Sequence, residues 1–293
     1  DAFNKCTSLT EIGIPASVNK IDPTGFQQAE KLEKFTVNKN NTVYSSVDGF
    51  LLSKDKKTLV SFPPAKAGTY YTLLPPTIET IGAQAFYAIN NLKNITIPEK
   101  VNKIEKFAFD MTTELKTIAF LGKVPIAEAN IDPSAFNPDN VHPNTIDLSV
   151  RKGSEAAYAA NNVWKKFHNI GVSFFEETNG VGNGLTEYFP LSKDAVMIVG
   201  TKADVYTYVV QPEVENHLDN HKYEVRLWGD YALNDNTTNI EEVVFKNTLD
   251  YVGIDAFKKS NGTSTVKRIY FTATAPTKDM SATKWEYIDN SGN

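Results

Sequence analysis

Cysteine is almost absent from this 293-residue chain, in which Cys6 is the only one. A single cysteine cannot form an internal disulfide, so a disulfide framework and a cysteine-ligated zinc cluster are both excluded. The most apolar stretch, 195–199, is only as long as a strand, whereas a membrane-spanning helix needs roughly 18 apolar residues. The sequence therefore predicts no membrane span in this chain.

An excess of positive charge is also missing. The chain has 30 basic and 35 acidic residues, which gives a net charge of -5. This balance provides no broad positive field, so we expect neither a nucleic acid nor an anionic membrane as partner. With 41% hydrophobic and 22% charged residues, the composition is that of an ordinary folded protein.

The usual catalytic motifs are missing as well. The sequence contains no Gly-x-Ser-x-Gly, no Gly-Lys-Ser/Thr and no His-Glu-x-x-His, so a serine hydrolase, a P-loop nucleotide enzyme and a zinc protease lose their usual sequence support. Three alternating glycines in residues 179–184 superficially resemble a phosphate-binding loop. No strand leads straight into them and no helix follows, so we interpret this segment as a flexible linker.

One pair of histidines, His217 and His221, has the spacing of metal ligands. Residues four apart share one face of a helix, but a third ligand is missing and the neighbouring Asn and Asp residues are weak helix formers. A solvated loop is the better interpretation of this segment. We therefore predict no metal site and no cofactor.

What the chain does contain is a repeated string. The pattern Leu-x-x-Ile-x-Ile-Pro-x-x-Val-x-x-Ile, followed by Gly-Phe or Ala-Phe, occupies residues 9–26 and 92–109. The next unit begins 23 residues later in each case, at Leu32 and Leu115, and a similar pair of units begins at Ile240. One unit cannot bury its apolar side alone, so stacked units are expected to share a core.

This string resembles the BspA-like leucine-rich repeat of bacterial surface proteins, over residues 1 to about 126 and again over about 240 to 276. The resemblance implies a leucine-rich repeat solenoid of mostly β strands and turns, with few short helices and roughly 23-residue repeats. It also implies an exported protein, displayed on the cell surface or released from it, with protein contact or adhesion as its role. The resemblance implies no catalytic residues, so we predict no enzyme activity. The chain opens in the middle of a repeat, so we expect that its signal segment is not present in this chain.

Two further segments are similar to accessory parts of this family. Residues 38–76 are similar to the hairpin insert carried between repeats, and Asp48-Gly49 is a good turn pair. Residues 144–170 are similar to the segment that closes such arrays, with Ser154 as a helix cap. A helix there would place several apolar side chains on one face: Ala156, Ala160, Val163, Trp164 and Phe167.

These segments define the expected domains. A leucine-rich repeat domain with hairpin insert and C-terminal cap helix is predicted at 1–178, followed by the linker at 179–184. A second domain is predicted at 185–293, ending in two degenerate repeat units at 240–276. No clear repeat is visible between 178 and 239.

Candidate binding residues lie between the core positions of the strands. In the first half these positions carry mixed charges and small side chains: Thr10, Glu11, Gly13, Glu33, Lys34, Thr36, Lys93, Asn94, Thr96, Lys116, Thr117 and Ala119. The late units offer a richer set beside Glu241 and Glu242, and binding hot spots favour Tyr and Arg. We therefore predict these ligand-binding residues: Lys267, Arg268, Tyr270, Lys93 and Lys116.

Three functional hypotheses follow. The leading one is a cell-surface scaffold for protein–protein interaction or adhesion, whose partner is a protein or another extracellular macromolecule. The alternative is a carbohydrate-binding accessory module, which would use an aromatic cluster around Trp228 and Tyr231. A third hypothesis places a hydrolase in residues 185–239.

Overall fold

The chain divides into two compact units, Asp1–Val172 and Ser173–Asn293. A computed structural model describes residues 2–67, 74–172, 174–177, 186–191, 194–202, 205–217, 220–229, 232–233, 239–246, 249–252, 256–257 and 263–271. Strands dominate these residues, and no helix among them is long and apolar enough to cross a membrane. The division after Val172 precedes the predicted linker at 179–184, which lies outside the described residues.

The first unit consists of short strands and one α-helix. The strands are β1 (Glu11–Ile14), β2 (Lys34–Val37), β3 (Tyr44–Val47), β4 (Phe50–Ser53), β5 (Thr58–Ser61), β6 (Thr80–Ile81), β7 (Asn94–Ile97), β8 (Lys103–Ile104), β9 (Thr117–Phe120), β10 (Asp147–Ser149) and β11 (Asn169–Gly171). The helix is α1 (Glu155–Ala160). Short 3-10 turns lie at Pro23–Phe26, Pro64–Lys66, Glu128–Asn130, Pro143–Thr145 and Trp164–Lys166.

The Leu-x-x-Ile-x-Ile parts of the string form parallel strands. β1 pairs with β2, and β7, β9, β10 and β11 form a four-stranded sheet. Ile12 lies opposite Phe35, and Ile95 opposite Ile118, so the partner in each case is 23 residues further along the chain. Equivalent core residues of consecutive units are therefore neighbours across the strands.

The predicted hairpin is confirmed between β3 and β4, which are antiparallel. Asp48 has φ 50° and Gly49 φ 83°, as a two-residue type I′ turn requires. A Cβ at Gly49 would lie 2.7 Å from the Cβ of Lys34, so close packing also favours glycine here. β5 then pairs antiparallel with β4 and parallel with β6, which joins the insert to the Val-x-x-Ile strands in the sheet β3–β4–β5–β6–β8.

A column of phenylalanines fills the core of the first unit. The rings of Phe86 and Phe109 stack with centroids 4.7 Å apart, and Phe109 stacks on Phe136 at 4.9 Å. Phe62, from the insert, packs against Phe86 at 5.0 Å. Phe86, Phe109 and Phe136 each follow an alanine in the turn of their unit, and Phe62 holds the corresponding position in the insert. The turn therefore places one large apolar side chain per unit in the shared core.

The segment after β10 differs from the predicted helix. α1 ends at Ala160 and a separate 3-10 turn follows, so one helical period does not extend over all the predicted residues. The side chains of Ala156 and Ala160 are exposed, and Tyr158 supplies the buried contact of the helix instead. The Ser154 side chain makes no capping hydrogen bond to the helix, and its hydroxyl donates to the Arg151 carbonyl oxygen instead.

The second unit consists of strands among its described residues. They are β12 (Phe175–Glu177), β13 (Thr186–Pro190), β14 (Ala195–Thr201), β15 (Thr207–Val210), β16 (Glu213–Asn216), β17 (His221–Trp228), β18 (Glu242–Phe245), β19 (Tyr251–Val252) and β20 (Arg268–Phe271). One sheet has the order β12–β13–β14–β17–β16, with β19 on β17, and the other has the order β15–β18–β20. Trp228 lies at the centre of the core of this unit, against Tyr208 and Phe245.

Candidate functional site

Three parallel strands, β15, β18 and β20, build the candidate site. Val243 lies opposite Tyr208 and Ile269, and these side chains pack in the core of the second unit. Because side chains alternate along a strand, the intervening residues point away from that core. The outward residues of the strands are Thr207, Val209, Glu242, Val244, Arg268 and Tyr270. Tyr206, Glu241 and Lys267 directly precede the three strands and contact one another or Arg268. We call these nine residues together the late-strand face.

Arg268 is held in place by two neighbours. Its Nε donates to Glu242 Oε1 at 2.6 Å, and its Nη2 donates to the Tyr206 hydroxyl at 2.6 Å. The second oxygen of Glu242 accepts a hydrogen bond from the Thr207 hydroxyl at 2.8 Å. Within the described part of the chain Nη1 of Arg268 has no partner, so it remains available to an acceptor on another molecule.

Both acidic residues of the face are stabilised in their charged form. The hydrogen bond from Thr207, together with that from Arg268, lowers the pKa of Glu242. The pKa of Glu241 is lowered by its hydrogen bond with Lys267, whose Nζ lies 2.8 Å from Glu241 Oε2. Each basic side chain thus has an acidic partner on the adjacent strand, and the face carries no net charge.

The aromatic and apolar part of the face lies beside these pairs. Tyr206 is 54% exposed. Tyr270 is half-buried and follows Val209 and Val244 in one row across the three strands. The face therefore combines a partly exposed apolar row with two tyrosines and an arginine, and Tyr and Arg are residue types enriched at binding hot spots.

The structure relates Lys267 to the other two predicted lysines. The carbonyl oxygen of Lys93 accepts hydrogen bonds from the backbone N–H groups of Lys116 and Thr117. In the same pattern, the backbone carbonyl oxygen of Glu241 accepts hydrogen bonds from the backbone N–H groups of Lys267 and Arg268. Lys93 and Lys116 are exposed neighbours in the first unit, while Lys267, Arg268 and Tyr270 lie together in the second. The five residues thus fall into two groups on separate units.

Part of the predicted face in the first unit is not exposed. Thr96 and Ala119 lie opposite one another on β7 and β9, and both are fully buried. The outward rows at Thr10, Glu11 and Lys34 remain exposed, with Glu11 paired to Lys34 at 3.0 Å. The inference from strand alternation was therefore wrong for Thr96 and Ala119, since alternation decides the side of the sheet but not what covers it.

The histidine pair does not share a helix face. Asn216 lies opposite His221 in the β16–β17 hairpin, and His217 follows directly after β16. His217 binds Glu177 through both its backbone N–H, at 2.7 Å, and its Nδ1, at 2.5 Å. The described residues contain no group of three His, Cys, Asp or Glu that could hold a metal ion.

The aromatic cluster proposed for carbohydrate binding is also not at the surface. Trp228 is fully buried, and its Nε1 donates to the Ala256 carbonyl oxygen at 3.2 Å. Tyr231 lies outside the described residues. Trp228 is therefore a core residue, because its ring fills the interior and its single donor is satisfied.

Tyr206 is the residue that sequence reasoning missed. It precedes β15, which no repeat string marks, whereas Lys267 and Arg268 follow a recognisable unit. Its carbonyl oxygen accepts from the N–H groups of Glu241 and Glu242, in the pattern that also joins Lys93 to its partners. The structural register therefore assigns Tyr206 to the same position as the predicted lysines.

Repeat strings, parallel pairing at equivalent positions and a shared aromatic core agree with a family match over most of the chain. The model of the BspA type leucine-rich repeat region matches six copies, at residues 1–50, 69–180 and 222–275. The chain belongs to the BspA-type leucine-rich repeat family. No curated protein sequence matches this family member.

Several solved structures are similar to this BspA-type chain. The pneumococcal vaccine antigen PcpA is 14% identical, with 94% of this chain and 47% of that chain covered and a TM-score of 0.35. A leucine-rich repeat protein from Eubacterium ventriosum is 18% identical, with 97% and 63% covered and a TM-score of 0.35. A leucine-rich cell surface protein from Faecalibacterium prausnitzii is 15% identical, with 91% of this chain and 62% of that chain covered and a TM-score of 0.25. The chain spans about half to two thirds of the length of these proteins.

Proposed function

We propose that this protein is an exported cell-surface scaffold that binds a protein partner through the late-strand face. The observation that carries this proposal is the contact between the exposed Tyr206 and Arg268, with Glu242 holding the guanidinium from the adjacent strand. Export, surface display and an adhesive role rest on the family resemblance. The role requires no catalysis, and the family is typically non-enzymatic.

A held arginine suits a binding role. Ordering a long side chain at an interface costs roughly 0.5–1.5 kcal/mol of free energy. Arg268 is already fixed by Glu242 and Tyr206, so much of that cost is met before a partner arrives. Its Nη1, which has no partner among the described residues, can then donate to a carbonyl or carboxylate oxygen of the partner, while Tyr206 and Tyr270 contribute apolar contact area.

The scaffold is proposed to be a solenoid of roughly 23-residue repeats, closed by α1 and the turn after it. The 23-residue spacing of paired strands supports this arrangement in the first unit. Phe136 supports the closing role of the end segment, because its ring meets Trp164 at 5.9 Å and Phe167 at 5.2 Å. The predicted domain bounds 1–178, 179–184 and 185–293 are kept as part of this proposal.

A binding screen tests the proposal. The intact chain would be applied to immobilised extracellular-matrix proteins and, in parallel, to a glycan array. We expect a protein ligand whose binding is lost in Arg268→Ala and reduced in Tyr206→Phe, which removes only the hydroxyl that contacts Arg268. The matched control is Lys20→Ala, at an exposed basic residue of the first unit that belongs to no candidate site. A protein ligand that binds both Arg268→Ala and wild type equally would disprove the role of the face.

A further inference from the structure

A small polar cavity lies in the first unit, at the place where the insert interrupts the repeats. Its volume is about 280 Å³, and the residues that line it are Gln28, Glu30, Pro64, Ala88, Ile89, Asn90 and Asn91. This volume is just below the roughly 300–1,000 Å³ of pockets for drug-sized ligands. One ring-sized molecule fits the cavity better than an extended chain.

The cavity has a cause in the backbone. Between regular units the turns are joined by two hydrogen bonds, here from Phe86 N–H to Ala108 and from Ala88 N–H to Asp110. In the insert, Phe62 donates the first of these bonds, to Ala85. The second would come from Pro64, which has no N–H. The ladder of turns therefore stops at Pro64, next to the cavity.

The polar side chains around the cavity make few hydrogen bonds among the described residues. The amides of Gln28 and Asn90 and the carboxylate of Glu30 are exposed to solvent and make none there. The Asn91 amide donates to the Pro64 carbonyl oxygen at 3.3 Å. Ile89 and Pro64 are buried and form an apolar base. The cavity thus presents three amides and one carboxylate above a small apolar surface.

This lining restricts the chemistry of a ligand. Among the described residues no Lys or Arg lines the cavity, so an anion would meet there only the charge of Glu30, which repels it. A calcium ion needs several oxygen ligands, usually with more than one carboxylate, and Glu30 is the only carboxylate in the described lining. An apolar group would leave the Gln28 and Asn90 amides and the carboxylate unpaired. Hydroxyl groups, which both donate and accept, match amides and a carboxylate.

We propose that the cavity binds one neutral sugar ring through hydrogen bonds from its hydroxyl groups to Gln28, Glu30 and Asn90, with Pro64 and Ile89 against the ring. The inference goes beyond the proposed function, since the cavity shares no residue with the late-strand face. Carbohydrate binding is thus proposed at a different place from the aromatic cluster around Trp228 that the sequence suggested. Recognition here depends on hydrogen bonds in a concave site instead of on an aromatic platform.

Saturation-transfer NMR with the intact chain tests this site. The probes are glucose, galactose, mannose and N-acetylglucosamine, with glucuronate as the charged comparison. We expect at least one neutral sugar to bind with a dissociation constant of about 1 mM, as few hydrogen bonds and a small contact area would give. Asn90→Trp should fill the cavity and weaken that binding at least about tenfold, and Gln28→Leu should weaken it without filling the site.

The matched control is Asn102→Trp, which adds the same ring to an exposed asparagine away from the cavity and should leave binding unchanged. Thermal unfolding of each variant shows that the fold is kept. The proposal is overturned if no neutral sugar binds, if glucuronate binds as well as the neutral sugars, or if Asn90→Trp binds like the wild type. None of these results would bear on the proposed binding of a protein partner through Arg268.

Discussion

The rings of Phe86 and Phe109 are almost parallel, with an angle of 6° between their planes and 4.7 Å between their centroids. Both rings are fully buried, and both come from turns that are joined by a backbone hydrogen bond from Phe86 to Ala108. One contact thus connects the sequence repeat to the shared core. Loss of one ring is expected to affect the neighbouring units on both sides.

Phe109→Ala tests this contact. The substitution leaves a cavity between Phe86 and Phe136, so we expect a loss of about 3–5 kcal/mol in the free energy of unfolding. Denaturant unfolding of the intact chain measures it. Met111→Ala, at a side chain that is 38% exposed, is the control and should change stability by less than about 0.5 kcal/mol. Equal effects of the two substitutions would contradict the shared core.

Asn41 is a second test, because its buried amide is fully hydrogen-bonded. Its Nδ2 donates to the carbonyl oxygens of Pro15 and Val18, both at 2.8 Å, and its Oδ1 accepts from the N–H groups of Val43 and Tyr44. Each buried group left unpaired costs roughly 1–3 kcal/mol. We therefore expect Asn41→Ala to lower the free energy of unfolding by at least about 2 kcal/mol.

Asn41→Asp separates the donors from the acceptor. A carboxylate can still accept from Val43 and Tyr44 but faces the Pro15 and Val18 carbonyl oxygens without a proton to donate. We expect this variant to be more destabilised at neutral pH than at about pH 4, close to the usual pKa of aspartate. Chemical unfolding at both pH values measures the difference. A stability change that is the same at both would show that the donors are unimportant.

Two glycines with positive φ separate backbone strain from packing. Gly49 has φ 83°, and an added Cβ would meet Lys34 at 2.7 Å; Gly153 has φ 87° and nothing within 4 Å of that position. A Cβ in the left-handed region costs roughly 1–2 kcal/mol by itself. Gly153→Ala should show only this loss of stability in thermal unfolding, and Gly49→Ala a larger one. The reverse order would contradict the close approach of the hairpin turn to β2.

The first unit should lose stability in acid. The pKa of Asp132 is lowered chiefly by the hydrogen bond from the Ser134 hydroxyl, and the pKa of Asp22 by that from Thr24. An aspartate whose pKa is lower in the folded state than its unfolded value of about 3.9 stabilises the fold. This contribution is complete when the pH is above the unfolded pKa, and it is lost as the pH falls through the folded-state pKa. Urea unfolding between about pH 3 and pH 6 should therefore show falling stability towards acid.

Asp132→Asn is the control for this pH dependence. An asparagine oxygen can still accept from the Ser134 N–H, which lies 2.9 Å from the carboxylate in the native turn, but it does not titrate. We expect the variant to retain the fold with a weaker dependence of stability on pH. An unchanged slope would assign the acid sensitivity to other groups.

The sequence predicted those parts of the molecule that repeat. Strands β1, β2, β7 and β9 follow from the spacing of their apolar residues, and the hairpin turn from Asp48-Gly49. The end segment was predicted less well, because periodicity marked apolar residues but did not show that the helix ends at Ala160. Local spacing cannot show where a short helix gives way to a turn that packs a Trp.

The candidate site was predicted only in part. Arg268 and Lys267 are visible beside a repeat unit, and their acidic partners occupy the equivalent unit before them. Tyr206 was not visible, since it lies 62 residues from Arg268 and no string marks its strand. The burial of Thr96 and Ala119 was also invisible, because covering a sheet face depends on distant parts of the chain.

The most direct test of the proposed function is the affinity of the late-strand face for a protein ligand found in the screen. Calorimetry would compare wild type with Arg268→Ala, Glu242→Gln and Lys20→Ala, each checked for folding by circular dichroism. We predict at least about a tenfold weaker affinity for Arg268→Ala, a smaller loss for Glu242→Gln, which leaves Arg268 less firmly held, and no change for Lys20→Ala. Equal affinity of Arg268→Ala and wild type would contradict the proposal.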